Sequence, residues 1–504
     1  MIRHRHSAWL VLAWFAGMGS FARADHEPRE FNGWPVFVRP PAIASRGDSW
    51  TAAGPFLFRQ NEGPDGRVSG FRPFWVQNFS AQGDFRSGTF LYPLFTYTVD
   101  DTIAQWNVFQ LIKHSSRRPG AEAPQSDYDP RRSFEIWPFW FSKENGNPQL
   151  SYRALFPIAG TVRNKLGLER LSWTLFPLRA ESENNGAVTT WTPWPFVRIT
   201  RGAAQGFSLW PLFGSTERPG VSREKYYLWP LGYNNTQSPT EDDPPDAPER
   251  QQVGVLPFYA RSTGPGYRSE DFGWPFFGYT ERTTPKPYHE TRYFWPLFVQ
   301  GRGEGSYVNR WGPFYTRSVI KGYDKEWFAW PLLSHARWNE QGLAVERTQG
   351  FYFVYWSEVQ RNAAQPGLPA AELTHFWPLF SHWDNGAGQR QWQLFSPFEA
   401  PFPGNLRMRQ AWTPLFAIAR HEQRAPGDSR TSLLWNAVTW SEYAPDHRTE
   451  FHIGPLLSVT ERAGEKRVAV GNGLFGFKRA TTGSWRIFWL DFPSKPATGM
   501  TARR

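Results

Sequence analysis

The 504-residue chain has no cysteine and only 4 methionines. The absence of cysteine excludes disulfides, thiolate metal sites, a cysteine nucleophile and a lipid-modified cysteine at the N-terminus. Beyond residue 24 no stretch approaches 18 unbroken apolar residues, which excludes a helical membrane span. There is no His-Glu-x-x-His zincin pattern and no Gly-x-Ser-x-Gly nucleophile elbow. The chain is also poor material for helices. It holds 44 Gly and 44 Pro, and both residue types interrupt helical hydrogen bonding.

Aromatics are abundant: Trp 28, Tyr 18 and Phe 42, or 17% of the chain. A sequence this apolar is not disordered. Many aromatics with many turn residues predict an all-β fold. The charge is basic, with 56 Lys and Arg against 45 Asp and Glu, a formal net of +11.

The N-terminus reads as an export signal. Arg3 and Arg5 form a positive region, Ala8 to Gly17 a short apolar core, and Ala22-Arg23-Ala24 a small-x-small cleavage site. Residues 1–24 are therefore expected to be a signal peptide removed after Ala24. Loss of its three arginines leaves 53 bases against 45 acids. Export without cysteine fits the periplasm or outer membrane of a Gram-negative bacterium. Basic charge there predicts attraction to anionic surfaces such as lipopolysaccharide or phospholipid headgroups rather than to nucleic acid.

A short aromatic-Pro-apolar block recurs along residues 25–504. It appears as Trp34-Pro35-Val36-Phe37, Arg72-Pro73-Phe74-Trp75, Trp210-Pro211-Leu212-Phe213, Trp295-Pro296-Leu297-Phe298, Trp377-Pro378-Leu379-Phe380 and Gly454-Pro455-Leu456-Leu457, among others. Copies without proline include Trp435-Asn436-Ala437-Val438 and Leu474-Phe475-Gly476-Phe477. Pro35 and Pro455 are 420 residues apart, and about 21 steps of roughly 20 residues fit between them, the mark of a repeat architecture. Tandem units that share neighbours make one extended or closed structure rather than several independent cores. Residues 25–504 are accordingly read as a single β-repeat domain.

Polar turn signals such as Asn184-Asn185-Gly186 and Asn339-Glu340-Gln341-Gly342 separate the blocks. Each unit thus predicts apolar block, strand, tight turn and more polar strand, giving tandem β-hairpins in one closed or stacked antiparallel structure. Proline, lacking an N–H, belongs at a strand start, bulge or corner. The apolar run Phe294 to Phe298 shows no polar alternation, which predicts a base buried on both sides. Three longer gaps, near 114–132, 234–252 and 360–372, predict surface loops.

Tandem hairpins with Trp-Pro-Leu-Phe blocks behind a signal peptide resemble uncharacterised bacterial envelope proteins. They are also similar to the β-flower group, shallow barrels ringed by hairpins around an apolar channel. The resemblance implies a non-enzymatic, lipid- or membrane-associated role, with lipid, lipopolysaccharide or another envelope component as partner. The alternative is an outer-membrane β-barrel pore or transporter. Twenty-odd units supply enough strands for one, but barrel strands alternate apolar-out and polar-in, and proline recurs where ladder hydrogen bonds are needed in lipid.

The sequence singles out no catalytic, cofactor-binding or metal-binding residues. His375 and His382 flank one block at odd spacing, which places them on opposite faces of a strand. Gly471-Asn472-Gly473-Leu474-Phe475-Gly476 matches Gly-x-Gly-x-x-Gly but leads to another turn, not to the helix that phosphate binding needs. Glu241-Asp242-Asp243 precedes two prolines and lacks the spaced oxygen ligands of a calcium loop. Ser357-Glu358 and Ser441-Glu442 lie 84 residues apart, as equivalent repeat positions would. A glycan-active enzyme would need a carboxylate pair across a cleft, and nothing singles out a pair among 45 acids.

Overall fold

The computed structural model describes residues 29–493 except 42–46, 63–64, 121–130, 241–242, 244–245, 400, 402–404 and 482. The expected signal segment, residues 1–24, and two of the three residues in the acidic run Glu241-Asp242-Asp243 lie outside the described residues.

The chain is almost entirely antiparallel β-structure. Among the described residues, forty-five strands, numbered β1 (Phe31–Gly33) to β45 (Trp485–Trp489) in chain order, form one sheet. Each strand pairs with the next in sequence, so the sheet is a continuous meander. Directly opposed residues make an unbroken row, one from every strand, starting Asn32, Val38, Thr51, Phe58 and ending His452, Ser458, Ala469, Gly476, Phe488. The row stays on one face because residues paired across an antiparallel ladder point the same way.

That face is packed with small residues beside large ones. A side chain at Gly214 would meet the Tyr226 ring at 2.3 Å, and one at Gly254 would meet the Tyr233 ring at 2.3 Å. Polar links cross it as well. Arg292 reaches Asp271 and Glu290, both at 2.9 Å, and Arg198 donates to Ser208 at 3.0 Å and Thr216 at 2.8 Å. Hydrophobic clusters are small: Phe58, Val68, Val76 and Ala411 form one, and Tyr152, Ala154, Val162 and Trp173 another.

The connections alternate in character. Polar turns close one edge of the sheet. In several of them both central residues adopt positive φ, as in Asn185 (48°) with Gly186 (71°) and Gln341 (49°) with Gly342 (82°), the conformation that matches hairpin twist. The aromatic-Pro-apolar blocks close the other edge. Trp210-Pro211-Leu212 joins β19 (Gln205–Leu209) to β20 (Phe213–Arg218), and Phe294 to Leu297 joins β27 (Tyr288–Tyr293) to β28 (Phe298–Gly303). The peptide before the motif proline is cis in many copies, including Trp34-Pro35, Trp210-Pro211 and Trp295-Pro296.

This placement corrects the expectation of a buried base. Trp295 is 41% exposed, and Phe294, Leu297 and Phe298 are exposed too. The motif occupies the reversal between strands, beyond the reach of a second sheet. Its lack of polar alternation therefore reflects a turn, not a strand covered on two faces.

The three long connections are shorter than expected, at 118–131, 238–249 and 363–370, because the flanking residues extend the strands. A fourth, 395–418, carries the one α-helix among the described residues, α1 (Leu406–Ala411). It is capped by Asn405, whose side chain accepts from the Met408 N–H at 3.1 Å.

Candidate functional site

No ladder joins β1 to β45, so the sheet is not closed. Its ends nevertheless meet through side chains. The Glu30 N–H donates to Glu450 Oε2 at 3.1 Å. Asn32 and Asn472 exchange two bonds: the Asn32 N–H donates to Oδ1 of Asn472 at 3.0 Å, and Nδ2 of Asn472 donates to the Asn32 carbonyl at 2.9 Å. Arg29 pairs with Asp491 at 2.8 Å. Further along, Trp412 Nε1 donates to the Tyr92 carbonyl at 2.9 Å, and Arg424 donates to the Asn61 carbonyl at 3.1 Å.

At the centre of this seam Glu30, Glu450 and His452 place their ligand atoms within 4.8 Å of one another, all buried. Two carboxylates and an imidazole are a metal-ligand set in kind. Their surroundings favour another reading. Arg430 pairs with Glu30 at 3.0 Å, and Arg448 pairs with Glu450. Burial alone would push the Glu30 carboxyl up, but the charges of Arg430 and His452 and bonds from Arg430 and Thr439 hold it at about 2. Burial likewise opposes ionisation of Glu450. The hydrogen bond with His452 and the charges of Arg448 and His452 outweigh it and lower the carboxyl. For His452 burial favours the neutral ring, yet the hydrogen bond with Glu450 and the nearby carboxylates raise its pKa. The arginines already balance the acids in charge, so the cluster is an ion network, in which Arg448 Nε and His452 Nδ1 are buried without a hydrogen-bond partner.

A second feature lies beside the seam. Between β3 (Trp50–Ala52) and β4 (Leu57–Asn61) on one side and β38 (Ala419–Ala425) and β39 (Asp428–Leu433) on the other is a cavity of about 130 Å³, lined in part by Arg59, Arg72, Arg420, Arg424 and Arg430. Arg72 is 5% exposed. It donates to the carbonyls of Gln410 at 2.8 Å and Pro55 at 3.1 Å and lies 3.3 Å above the Phe58 ring centroid. Burial, and then the charge of Arg420, depress its pKa to about 9.

The residues weighed from sequence do not converge. His375 opposes Ser381, while the adjacent His382 points to the other face, as the odd spacing predicts. His375 is buried and stacked on Trp356 at 5.1 Å, and burial, followed by the charge of Arg409, lowers it to about 4. The Gly-x-Gly-x-x-Gly segment is a motif turn whose Asn472 serves the seam. Asp243 accepts from Thr240 and pairs with Arg250 at 2.8 Å. Ser357 and Glu358 are on β34 (Tyr355–Asn362), Ser441 and Glu442 on β40 (Val438–Tyr443), and Glu358 pairs with Arg347 at 2.7 Å.

The seam and the arginine cavity were not anticipated, although a signal was present. Both use departures from the repeat: Arg72 stands where the motif most often has an aromatic, Asn436 stands in a copy without proline, and Asn472 lies just before another such copy. No family model matches the chain, and no relative is found among curated proteins.

Proposed function

We propose that this chain is an exported, non-catalytic scaffold of the bacterial cell envelope that attaches to a lipid surface through its motif-turn edge. One observation carries the reading. The connections along that edge expose large apolar side chains in succession, with Phe258 at 72%, Phe314 at 76% and Leu456 at 70%. Neighbouring turns touch along the edge, as in Phe156 with Phe176 at 5.2 Å and Phe176 with Trp194 at 5.3 Å between ring centroids. A continuous apolar edge opposite a polar one marks an interaction surface, and amphipathic aromatics suit a headgroup boundary.

Strand length weighs against the pore reading. The strands have three to eight residues, short of the roughly 9–11 that cross a bilayer. Charged residues also fall on both faces, Arg292 and Glu290 on one and the opposed pair Arg317 and Glu326 on the other.

Vesicle flotation tests the proposal. Burying one phenylalanine side chain gains about 1.5–3 kcal/mol. The triple variant Phe258→Ser, Phe314→Ser, Leu456→Ser should therefore lose at least about tenfold in affinity for phosphatidylglycerol-containing vesicles, with an unchanged urea midpoint. Absence of wild-type flotation, or equal flotation by the variant, would overturn it.

A further inference from the structure

The arginine cavity opens toward the motif edge. Pro55 and Trp435 line both it and a neighbouring groove of about 570 Å³. That groove is apolar, walled by Trp34, Val36, Phe56 and Leu415. A cationic pocket inside and an apolar channel leading out form a paired arrangement.

The cationic half has a charge that the protein leaves uncompensated. Among the described residues no carboxylate forms an ion pair with Arg72. Its donors meet neutral carbonyls and its flat face meets Phe58. Glu422 acts on it at longer range and is already shared by Arg420, at 2.6 Å, and Arg424, at 3.6 Å. Arg59 has only a long contact of 3.8 Å to Asp48, and its Nε is buried without a hydrogen-bond partner. Glu62, in the adjoining cavity, has its carboxyl raised by burial, the repulsion of Asp65 and Glu422 adding to it against Arg424, so it is a weak counter-ion. Burying a guanidinium without a counter-charge is costly. An anion that enters would remove that cost, and forked guanidinium donors match phosphate oxygens.

We propose that the two cavities together bind one phosphate-bearing amphiphile of the phospholipid class, its phosphate on Arg72 and Arg59 and its apolar part along the groove beside Val36 and Trp435. The proposal deepens the lipid-surface reading and rests on it for the source of the ligand.

The test uses the full chain and calorimetric titration with monomeric dihexanoyl phosphatidic acid, dihexanoyl phosphatidylcholine and inorganic phosphate. The phosphatidic acid should bind at least tenfold tighter than inorganic phosphate and tighter than the zwitterionic lipid. Arg72→Gln should weaken it at least tenfold. If that variant does not fold, Arg59→Gln, at a partly exposed position, carries the same expectation. Val36→Asp, at a position 66% exposed, should weaken the phosphatidic acid about tenfold and leave inorganic phosphate unchanged. Equal affinity for phosphatidic acid and inorganic phosphate would reduce the site to a simple anion pocket and overturn the proposal, as would no binding of either. The Phe258, Phe314, Leu456 triple variant should bind the short lipid like wild type. Loss of vesicle flotation by wild-type protein with short-lipid binding intact would refute the edge reading alone. Flotation without short-lipid binding would refute this one alone.

Discussion

Glu30 lies 420 residues before Glu450, yet its backbone N–H donates to that side chain and its own carboxylate pairs with Arg430. A carboxyl held at about 2 when folded, against an ordinary value of 4.5, is deprotonated more readily in the folded state. Its contribution is present above about pH 4.5 and is lost as pH falls toward 2, with a size on the order of 3 kcal/mol. His452 has the opposite sign. Its pKa is raised above 6.5, so its contribution is complete below that value and fades as pH rises through the folded one. Glu30→Gln should cost about 3–5 kcal/mol near neutral pH by leaving Arg430 buried without a counter-charge, and should flatten the acid limb of a stability-pH curve. Urea melts at a series of pH values check both. An acid limb as steep in the variant as in wild type would contradict the assignment. Aromatic residues divide by place in the same way. Phe58, 2% exposed in a packed cluster, should cost about 3–5 kcal/mol on truncation to Ala. Trp295, 41% exposed in a turn, should cost about 1 kcal/mol or less. Equal losses in denaturant melts would mean that the edge aromatics are packed after all.

At the scale of the element, the hairpin is the unit, and its two turns differ in what they tolerate. The Lys321-Gly322 turn projects from the polar edge, and a side chain at Gly322 would meet open space. A Gly-Ser insertion after Gly322 should leave the thermal midpoint within about 2 °C, since exposed loop tips accept insertion. One residue inserted between Ala336 and Arg337, inside β32 (Leu333–Glu340), would move the rest of the strand to the opposite face and should lower the midpoint by more than about 5 °C. Circular dichroism melts compare the two, and similar midpoints would argue against a fixed register. This unit was legible in the sequence because a proline-bearing block every twenty or so residues corresponds to one hairpin, and Asn185-Gly186 and Gln341-Gly342 announced their turns. The exposure of the motif was not legible. A turn and a doubly buried strand both lack polar alternation, and only the fold shows that no layer covers Trp295. Nor was the candidate site. Arg72, Arg424 and Arg59 share no periodicity, and their convergence depends on the curl of the whole sheet. The visible trace was local, an arginine at a motif position that most often holds an aromatic.

At the scale of the molecule, a meander without a closing ladder has two ends, and an exposed strand edge invites pairing with other chains. Here β1 is held against the strands near the C-terminus by side-chain contacts. Asn32 spans the join: its backbone N–H and carbonyl bond the Asn472 side chain, and its Nδ2 donates to the Asn436 carbonyl at 2.9 Å. Asn472 is 6% exposed, and removing its side chain leaves the buried Asn32 backbone N–H and carbonyl without those partners, at about 1–3 kcal/mol. A double-mutant cycle isolates the link. The pair to use is Arg29 and Asp491, whose side chains meet at 2.8 Å: Arg29→Gln and Asp491→Asn should each destabilise by about 1 kcal/mol, and the double variant should lose less than the sum by about 0.5 kcal/mol or more, as directly coupled residues do. Nearest-neighbour repeat coupling alone predicts a different result, because residues 462 positions apart would then act independently. Additive losses would mean that the ends fold without each other, while a shortfall would show that the first and last strands stabilise one another across the whole length of the sheet.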